Sequence, residues 1–164
     1  MSLLCHVCPT SDHVQFCCRS EVREGVEVRR VMDGRGRGLF TVGAVGAGKD
    51  LCWFEGEVVR KTVLGGVGVS ELSYVLMVEP GLFLRAVQGR QMSPAWFANH
   101  TCVSPNARIV VVGCGLEARA VLRAARQIGA GEEVLVNYRL SGLDGGKLQA
   151  KHWQFECKCV HCSS

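Results

Sequence analysis

The stretch that decides the fold reads WFANHTCVSPN and spans residues 96–106. Its asparagines and histidine supply hydrogen-bond donors and acceptors, its cysteine supplies a thiolate, and its proline removes a backbone donor and fixes a turn. The residues alone leave two interpretations open, a surface loop with a buried cysteine or part of a functional site. Its neighbours favour a site, because a glycine-rich stretch precedes it and a GEE…Y stretch and a CxCxxC tail follow it.

The composition predicts one domain with a substantial core. The chain has 164 residues, of which 48% are hydrophobic and 21% charged, and this balance excludes a disordered chain. The 20 glycines against 4 prolines favour many turns between short strands. The net charge of +4 permits an acidic or nucleic-acid partner without demanding one. No window reaches the roughly 18 uninterrupted apolar residues of a membrane span, so we expect no membrane partner.

The ten cysteines indicate metal binding more than disulfides. The N-terminus lacks the basic start and long apolar segment of a signal peptide, so we expect an intracellular protein, in which clustered cysteines are usually metal ligands. The spacing Cys-x2-Cys-x4-His-x4-Cys near the N-terminus suits a tetrahedral zinc ion, although individually buried thiols are the other interpretation. The candidate ligands are Cys5, Cys8, His13 and Cys18, with Cys17 as an alternative to Cys18.

Local patterns predict mainly short strands. The candidates, in chain order, are residues 26–31, 51–59, 72–78, 82–87, 107–114 and 134–138. Residues 61–70 are glycine-rich and predict a loop. Residues 116–128 conflict, because their composition favours a helix whereas the preceding turn and an alternation of apolar residues allow a returning strand.

A second polar feature, DGRGRGLF at residues 33–40, carries three glycines at alternate positions. Glycines allow unusual backbone conformations and let a ligand approach the main chain. No helix pattern follows, so the stretch is not a dinucleotide-binding fingerprint. A nucleic-acid contact or a simple turn would also explain the Gly/Arg repeat.

Five motifs in order make the chain resemble a SET domain, the fold of many protein lysine methyltransferases. They are GRGRGL at 34–39, FEGE at 54–57, NHTCVSPN at 99–106, GEEVLVNY at 131–138 and CKCVHC at 157–162. The resemblance spans residues 26–162, and the tail looks most like the SET–MYND branch, without a MYND-sized insertion. It implies a mostly β fold of small sheets, a knot-like threaded C-terminal segment and a zinc-binding post-SET tail. It also favours a strand over residues 116–128.

The resemblance divides the chain into a Cys/His-rich N-terminal segment (1–21), a SET domain (22–140) and a post-SET zinc segment (141–164). It implies methyl transfer from S-adenosylmethionine to a protein lysine, with a histone tail as one candidate substrate, and Tyr138 as the catalytic residue. The implied cofactor-binding residues are Arg35, Gly36, Arg37, Gly38, Asn99, His100, Tyr138 and Phe155. The implied structural zinc ligands are Cys102, Cys157, Cys159 and Cys162.

Departures from the family pattern keep rival hypotheses open. Trp96 stands where arginine often precedes the phenylalanine, and one extra residue separates Cys102 from Pro105. The first hypothesis is an active lysine methyltransferase, and the second is a non-catalytic SET-fold module in a chromatin complex. The third is a zinc-knuckle nucleic-acid binder that uses residues 5–18 and 34–38. The family also implies a nuclear location, with the cytoplasm as the alternative because no clear basic localisation run is present.

Overall fold

A computed structural model of the chain describes residues 25–32, 35–64, 74–87 and 92–138. The predicted N-terminal zinc ligands, Phe155 and the three tail cysteines lie outside these ranges, as do the N-terminal and post-SET segments. The strands within them are β1 Val26–Val31, β2 Gly36–Thr41, β3 Asp50–Phe54, β4 Glu57–Arg60, β5 Val75–Glu79, β6 Leu82–Arg85, β7 Asn99–His100, β8 Ala107–Val112, β9 Arg119–Ala124 and β10 Leu135–Val136. The helical elements are α1 Lys61–Leu64 and two 3-10 helices, Pro94–Phe97 and Gly115–Glu117.

The described strands form three small sheets, which confirms the prediction of a mostly β protein. Strands β1 and β2 make an antiparallel hairpin. A five-stranded sheet has the order β3-β9-β8-β10-β7, and a three-stranded sheet has the order β4-β6-β5. Within the described ranges, no helix combines the length and the apolarity that a membrane crossing needs.

Two local predictions need correction, and one stretch that the sequence left open is assigned. The single strand predicted over 51–59 is two strands in two different sheets, and the chain passes between them at Gly56. A Cβ on Gly56 would collide with the backbone oxygen of Arg85, so this crossing needs glycine. Much of the glycine-rich stretch at 33–40 is strand β2, and the loop predicted over 61–70 begins with helix α1.

The ambiguous segment at 116–128 contains strand β9, as the family resemblance implied. Strand β9 lies between β3 and β8, so both of its backbone edges are paired and its faces are packed. Ala120 and Leu122 are fully buried whereas Arg119 is exposed. Cross-strand pairing and burial therefore override the local helix propensity.

Strand β10 positions the functional motifs. It lies between β7 and β8 and runs parallel to both, with Val136 opposite His100 on one side and Ala107 on the other. Two fully buried apolar residues, Val134 and Val136, pack this segment into the core. The chain around β10 therefore meets both ends of the 96–106 stretch.

Candidate active site

The site is built where β10 meets the 96–106 stretch. The backbone N–H of Thr101 donates to the carbonyl of Val136 at 2.9 Å, and the N–H of Asn106 donates to the carbonyl of Leu135 at 3.1 Å. These bonds place the Gly-Glu-Glu…Tyr segment against the Asn-His and Pro-Asn segments. Residues that are about 30 positions apart in the sequence thus share one edge of the sheet.

Asn106 fixes this edge from inside the protein. Its side chain is buried, and its Nδ2 donates to Glu132 Oε1 at 2.9 Å and to the Glu133 carbonyl at 2.7 Å. Its Oδ1 accepts from the N–H of Leu135 at 2.8 Å. The extra residue that precedes Pro105 does not displace this arrangement, because the loop turns at the exposed Ser104, which has a φ of 52°.

Glu133 joins the glycine motif to the Asn-His motif. Its carboxylate accepts two hydrogen bonds from the Arg35 guanidinium, from Nη1 to Oε1 at 3.0 Å and from Nη2 to Oε2 at 2.9 Å. Oε1 also accepts from Asn99 Nδ2 at 2.8 Å. The fork-to-fork geometry is the strong, directional form of an ion pair. We call Arg35, Arg37, Asn99 and Glu133 the edge network.

Gly38 packs closely against the edge network. A Cβ at this position would lie 2.7 Å from Glu133 Oε1 and 3.0 Å from Asn99 Nδ2. The residue is buried, so a larger side chain would have to move the carboxylate or the amide. Gly36 differs, because it has a φ of +84° and faces open space.

The remaining hydrogen-bonding capacity of the edge network suits a polar, partly cationic cofactor. Asn99 Nδ2 also donates to the Arg37 carbonyl at 3.1 Å, whereas Asn99 Oδ1 accepts no hydrogen bond from any residue that the structure describes. The main chain at Gly36 is exposed and unobstructed. These groups fit the amino-acid end of S-adenosylmethionine, which carries both donors and acceptors.

The two arginines of the glycine motif have different surroundings. The Arg35 guanidinium pairs with Glu133, so a contact of this group with a cofactor would be in addition to the ion pair. The Arg37 guanidinium lies over the ring of Phe97, 4.3 Å from its centroid, a cation–π contact. The cofactor-binding roles of Arg35, Gly36, Arg37 and Gly38 stay predictions.

Tyr138 follows β10 and is half-buried beside the edge. Its hydroxyl donates to the carbonyl of Ala98 at 2.6 Å. Burial, reinforced by the neighbouring Tyr74 and opposed by the charge of Arg35, raises the pKa of the Tyr138 phenol to about 12. The phenol is therefore protonated at neutral pH and donates its proton to the Ala98 carbonyl. Such a group can orient an amine but is a poor base.

His100 supports Tyr138 rather than opening to solvent. The imidazole is buried, and its Nδ1 accepts from the backbone N–H of Tyr138 at 3.0 Å. Because Nδ1 is the acceptor, the proton of the neutral ring lies on Nε2, which is 3.2 Å from Cys102 Sγ. The two rings also contact each other, with centroids 5.1 Å apart. The side chain of His100 is thus engaged within the protein, and its predicted cofactor contact remains a prediction.

One of the eight main candidate zinc ligands, Cys102, lies within the described residues. Cys102 is half-buried beside His100, and the other seven main candidate ligands lie outside the described residues. Within the described ranges, no group of three or more His, Cys, Asp or Glu side chains is arranged to hold a metal. The two zinc sites stay predictions.

Trp96 fastens the strand crossing near Gly56 to this site. Its Nε1 donates to the Glu55 carbonyl at 2.9 Å, and its ring meets Phe54 edge-on at 4.9 Å. Ser93 Oγ accepts from the N–H of Glu55 at 3.0 Å. Tryptophan at position 96 thus closes the end of β3 with a hydrogen bond and an aromatic contact.

A cavity of about 400 Å³ opens where β3 and β4 diverge. Its walls combine polar and apolar groups, with the apolar side chains of Trp53, Phe54 and Leu116 among them. The ionisable side chains in the lining are Glu55, Glu57, Glu117 and Arg119. Its volume falls in the range of ligand-binding clefts.

Reasoning from the sequence assigned no individual role to Glu133, Asn106 or Ser93. Glu132 and Glu133 both lie in the GEE motif, which was the available signal. The partners of each, however, depend on which face of the chain it occupies. Arg35 and Glu133 are 98 positions apart, so no local pattern pairs them.

Comparison with known proteins agrees with this geometry. The family model described as the SET domain matches residues 36–139. A search of curated proteins finds no match to the chain.

Proposed function

Since this chain belongs to the SET-domain family, we propose that it is an S-adenosylmethionine-dependent protein lysine N-methyltransferase. SET domains generally are protein lysine methyltransferases. The observation that carries the proposal is the convergence of the glycine motif, Asn99 and Tyr138 around β10. Glu133 bonds to the first two, and Tyr138 is bonded to the residues on either side of Asn99.

The edge network is the proposed cofactor site. When bound, S-adenosylmethionine supplies an electrophilic methyl group on its sulfonium. The exposed main chain around Gly36 and the Asn99 Oδ1 acceptor would hold its polar end, with Phe155 as a further predicted contact. The protein contributes mainly by aligning the two reactants. The entropic cost of this alignment is a large part of the barrier to a displacement reaction.

Tyr138 is the proposed catalytic residue, acting by orientation. Its proton is donated to the Ala98 carbonyl, so towards an amine its oxygen would act as a hydrogen-bond acceptor. Because the pKa of the phenol is raised to about 12, Tyr138 does not remove the lysine proton at neutral pH. A lysine has an ordinary pKa of about 10.4, and transfer into a dry channel lowers it, so the amine can arrive neutral without a side-chain base.

The 400 Å³ cavity supports a basic protein segment as substrate. Three carboxylates and one guanidinium lie in its lining, which favours a cationic occupant. Glu57 also pairs with Arg85 Nε at 2.7 Å, so part of this charge is already balanced. A lysine with basic neighbours, as in a histone tail, matches this cavity.

Finer features of the family belong to the same proposal. A zinc ion held by Cys102, Cys157, Cys159 and Cys162 would attach the tail beside His100, and the segment after Tyr138 would be threaded in the knot-like way of the family. A second zinc would bind Cys5, Cys8, His13 and Cys18. Partner subunits in a chromatin complex and a nuclear location complete the proposal.

The direct test compares wild type with Tyr138→Phe in methyl transfer to a panel of histones and a cell lysate. We expect a rate loss of about a hundredfold, because misplacing a reactant by about 1 Å typically costs this much. Binding of S-adenosylhomocysteine should be largely retained, because the variant keeps the aromatic ring of residue 138 and leaves the other predicted cofactor contacts in place. Tyr74→Phe, which alters the other tyrosine of the chain, is the matched comparison.

If Tyr138→Phe transferred methyl groups as fast as wild type, Tyr138 would not be the catalytic residue. If the wild type and the variant both bind the cofactor but neither transfers methyl groups, the non-catalytic module would be favoured instead. A nucleic-acid affinity that falls steeply with salt, without cofactor binding, would favour the third hypothesis.

A further inference from the structure

We propose that Glu133 is a positioning residue, which holds the Asn99 amide so that Oδ1 faces the cofactor as a hydrogen-bond acceptor. This inference rests on the proposed function and goes further, because it assigns a role to a residue that contacts neither reactant. It also specifies the chemistry that Asn99 recognises, an N–H donor of the cofactor.

The first step is the rigidity of the Glu133 carboxylate. Both of its oxygens accept from the Arg35 guanidinium, at 3.0 and 2.9 Å. The Glu133 side chain is 15% exposed and that of Arg35 is 22% exposed, so solvent competes weakly for these bonds. A planar guanidinium that bonds two oxygens fixes the plane of the carboxylate as well as its position.

The second step is the orientation of the Asn99 amide. Both hydrogens of Nδ2 point at acceptors, one at Glu133 Oε1 and one at the Arg37 carbonyl. A flipped amide would place Oδ1 against these same two oxygens, with no donor between them. The carboxylate therefore selects one of the two amide orientations, and in that orientation Oδ1 is turned away from both acceptors.

The third step is the lack of space for an alternative arrangement. Gly38 is so close that a Cβ there would contact both Glu133 Oε1 and Asn99 Nδ2. Arg35, Gly38 and Asn99 thus surround the carboxylate, and each comes from a predicted cofactor-binding motif.

The matched control is Glu132, the preceding residue. Its carboxylate bonds to Arg126, to the N–H of Gly129 and to Asn106, and it has no bond to Asn99. The Glu132→Gln change has the same chemistry as Glu133→Gln and lies next to it in the chain. An effect on cofactor binding that is specific to Glu133 is therefore separable from a general loss of stability.

The experiment measures S-adenosylhomocysteine affinity by titration calorimetry, with folding checked by circular dichroism. We expect Glu133→Gln to bind about tenfold more weakly, because a carboxamide has one acceptor oxygen and turns an N–H towards the donors of Arg35 or Asn99. Glu132→Gln should stay within about threefold of wild type. If Glu133→Gln does not fold, Glu133→Asp, which keeps the charge but withdraws the carboxylate, takes its place with the same expectation.

A double-mutant cycle with Asn99→Ala distinguishes positioning from a merely structural role. If Glu133 acts through Asn99, adding Glu133→Gln to Asn99→Ala should change the affinity by less than about twofold. Losses that multiply, or a Glu133→Gln variant that binds like wild type, would overturn the inference. A folded wild type that does not bind the cofactor would instead contradict the proposed function.

Discussion

Glu132 and Glu133 are neighbours of the same residue type, yet they serve two different networks. Glu132 belongs to what we call the turn network, with Arg126, Gly129 and Asn106, which closes the loop before β10. Glu133 belongs to the edge network with Arg35 and Asn99. Among the described residues, the two side chains have no hydrogen-bond partner in common.

The comparison indicates that two adjacent residues of one motif can have different roles, one in stability and the other in the proposed function. The bonds from Arg126, from the backbone of Gly129 and from Asn106 lower the pKa of Glu132 to about 2. All of those partners lie within the turn network, so we assign Glu132 to the stability of the turn and not to cofactor binding. In the edge network, by contrast, Asn99 Oδ1 accepts no hydrogen bond from the residues that the structure describes, and we assign it to the cofactor.

Asn106→Ala should have the largest effect, because Asn106 bonds to both networks. It removes three side-chain hydrogen bonds, to Glu132, to the Glu133 carbonyl and from the Leu135 N–H. We expect a loss of about 2–4 kcal/mol in the free energy of unfolding, measured by urea denaturation. Cofactor affinity should fall as well.

Asn106→Asp sharpens that result. It keeps Oδ1 for Leu135 but sets a carboxylate against the oxygens of Glu132 and Glu133, so it should destabilise the protein about as much as alanine does. A loss below about 1 kcal/mol for Asn106→Ala would show that the two networks do not depend on this residue.

Gly38→Ala should act mainly on the edge network. The added methyl group would overlap Glu133 Oε1 and crowd Asn99, which we expect to cost about 1–3 kcal/mol of stability and at least tenfold in S-adenosylhomocysteine affinity. Gly43→Ala is the control, because a Cβ at that exposed position meets nothing within 4 Å. Equal cofactor affinity in both variants would contradict the proposed contribution of Gly38 to the cofactor site.

Glu132→Gln should have the smallest effect, and that effect should depend on pH. The folded-state pKa of Glu132 is about 2 against an ordinary value of 4.5, so its contribution is fully present above pH 4.5 and is lost as the pH falls towards 2. Because the Glu132 side chain is 34% exposed, we expect only about 1–2 kcal/mol at pH 7.

The measurement for this variant is the difference in unfolding free energy between wild type and Glu132→Gln from pH 7 to pH 3. That difference should shrink below pH 4.5. Glu117→Gln is the control, because the side chain of this exposed glutamate has no hydrogen bond or ion pair among the described residues. A difference that stays constant, or grows as the pH falls, would contradict the stabilising role of the turn network.

Much of the fold could be predicted from the sequence, for physical reasons that also set the limits. Strand β1 was predicted at its observed bounds, because its alternation reports directly on one buried face. Strand β9 was ambiguous, because it is buried between two other strands and most of its residues are apolar or alanine. The break at Gly56 fell inside the single strand predicted over 51–59, since the sequence does not show which sheet the following residues join.

The site was predictable in its motifs but not in its connections. Asn99, His100 and Tyr138 lie together, yet the pairing of Arg35 with Glu133 depends on the fold. The Trp96 side chain, a departure from the family pattern, bonds to Glu55 in a way that no spacing rule indicates. Side-chain direction and long-range pairing are properties of the folded chain.

The most direct test of the central claim is titration of the folded wild-type protein, purified with zinc present, with S-adenosylmethionine or S-adenosylhomocysteine. We expect saturable binding with one cofactor per chain, because Asn99 bonds to the carbonyl of Arg37, which follows the exposed Gly36 in the chain. Absence of binding by a protein that circular dichroism shows to be folded would contradict the claim that this edge is a cofactor site.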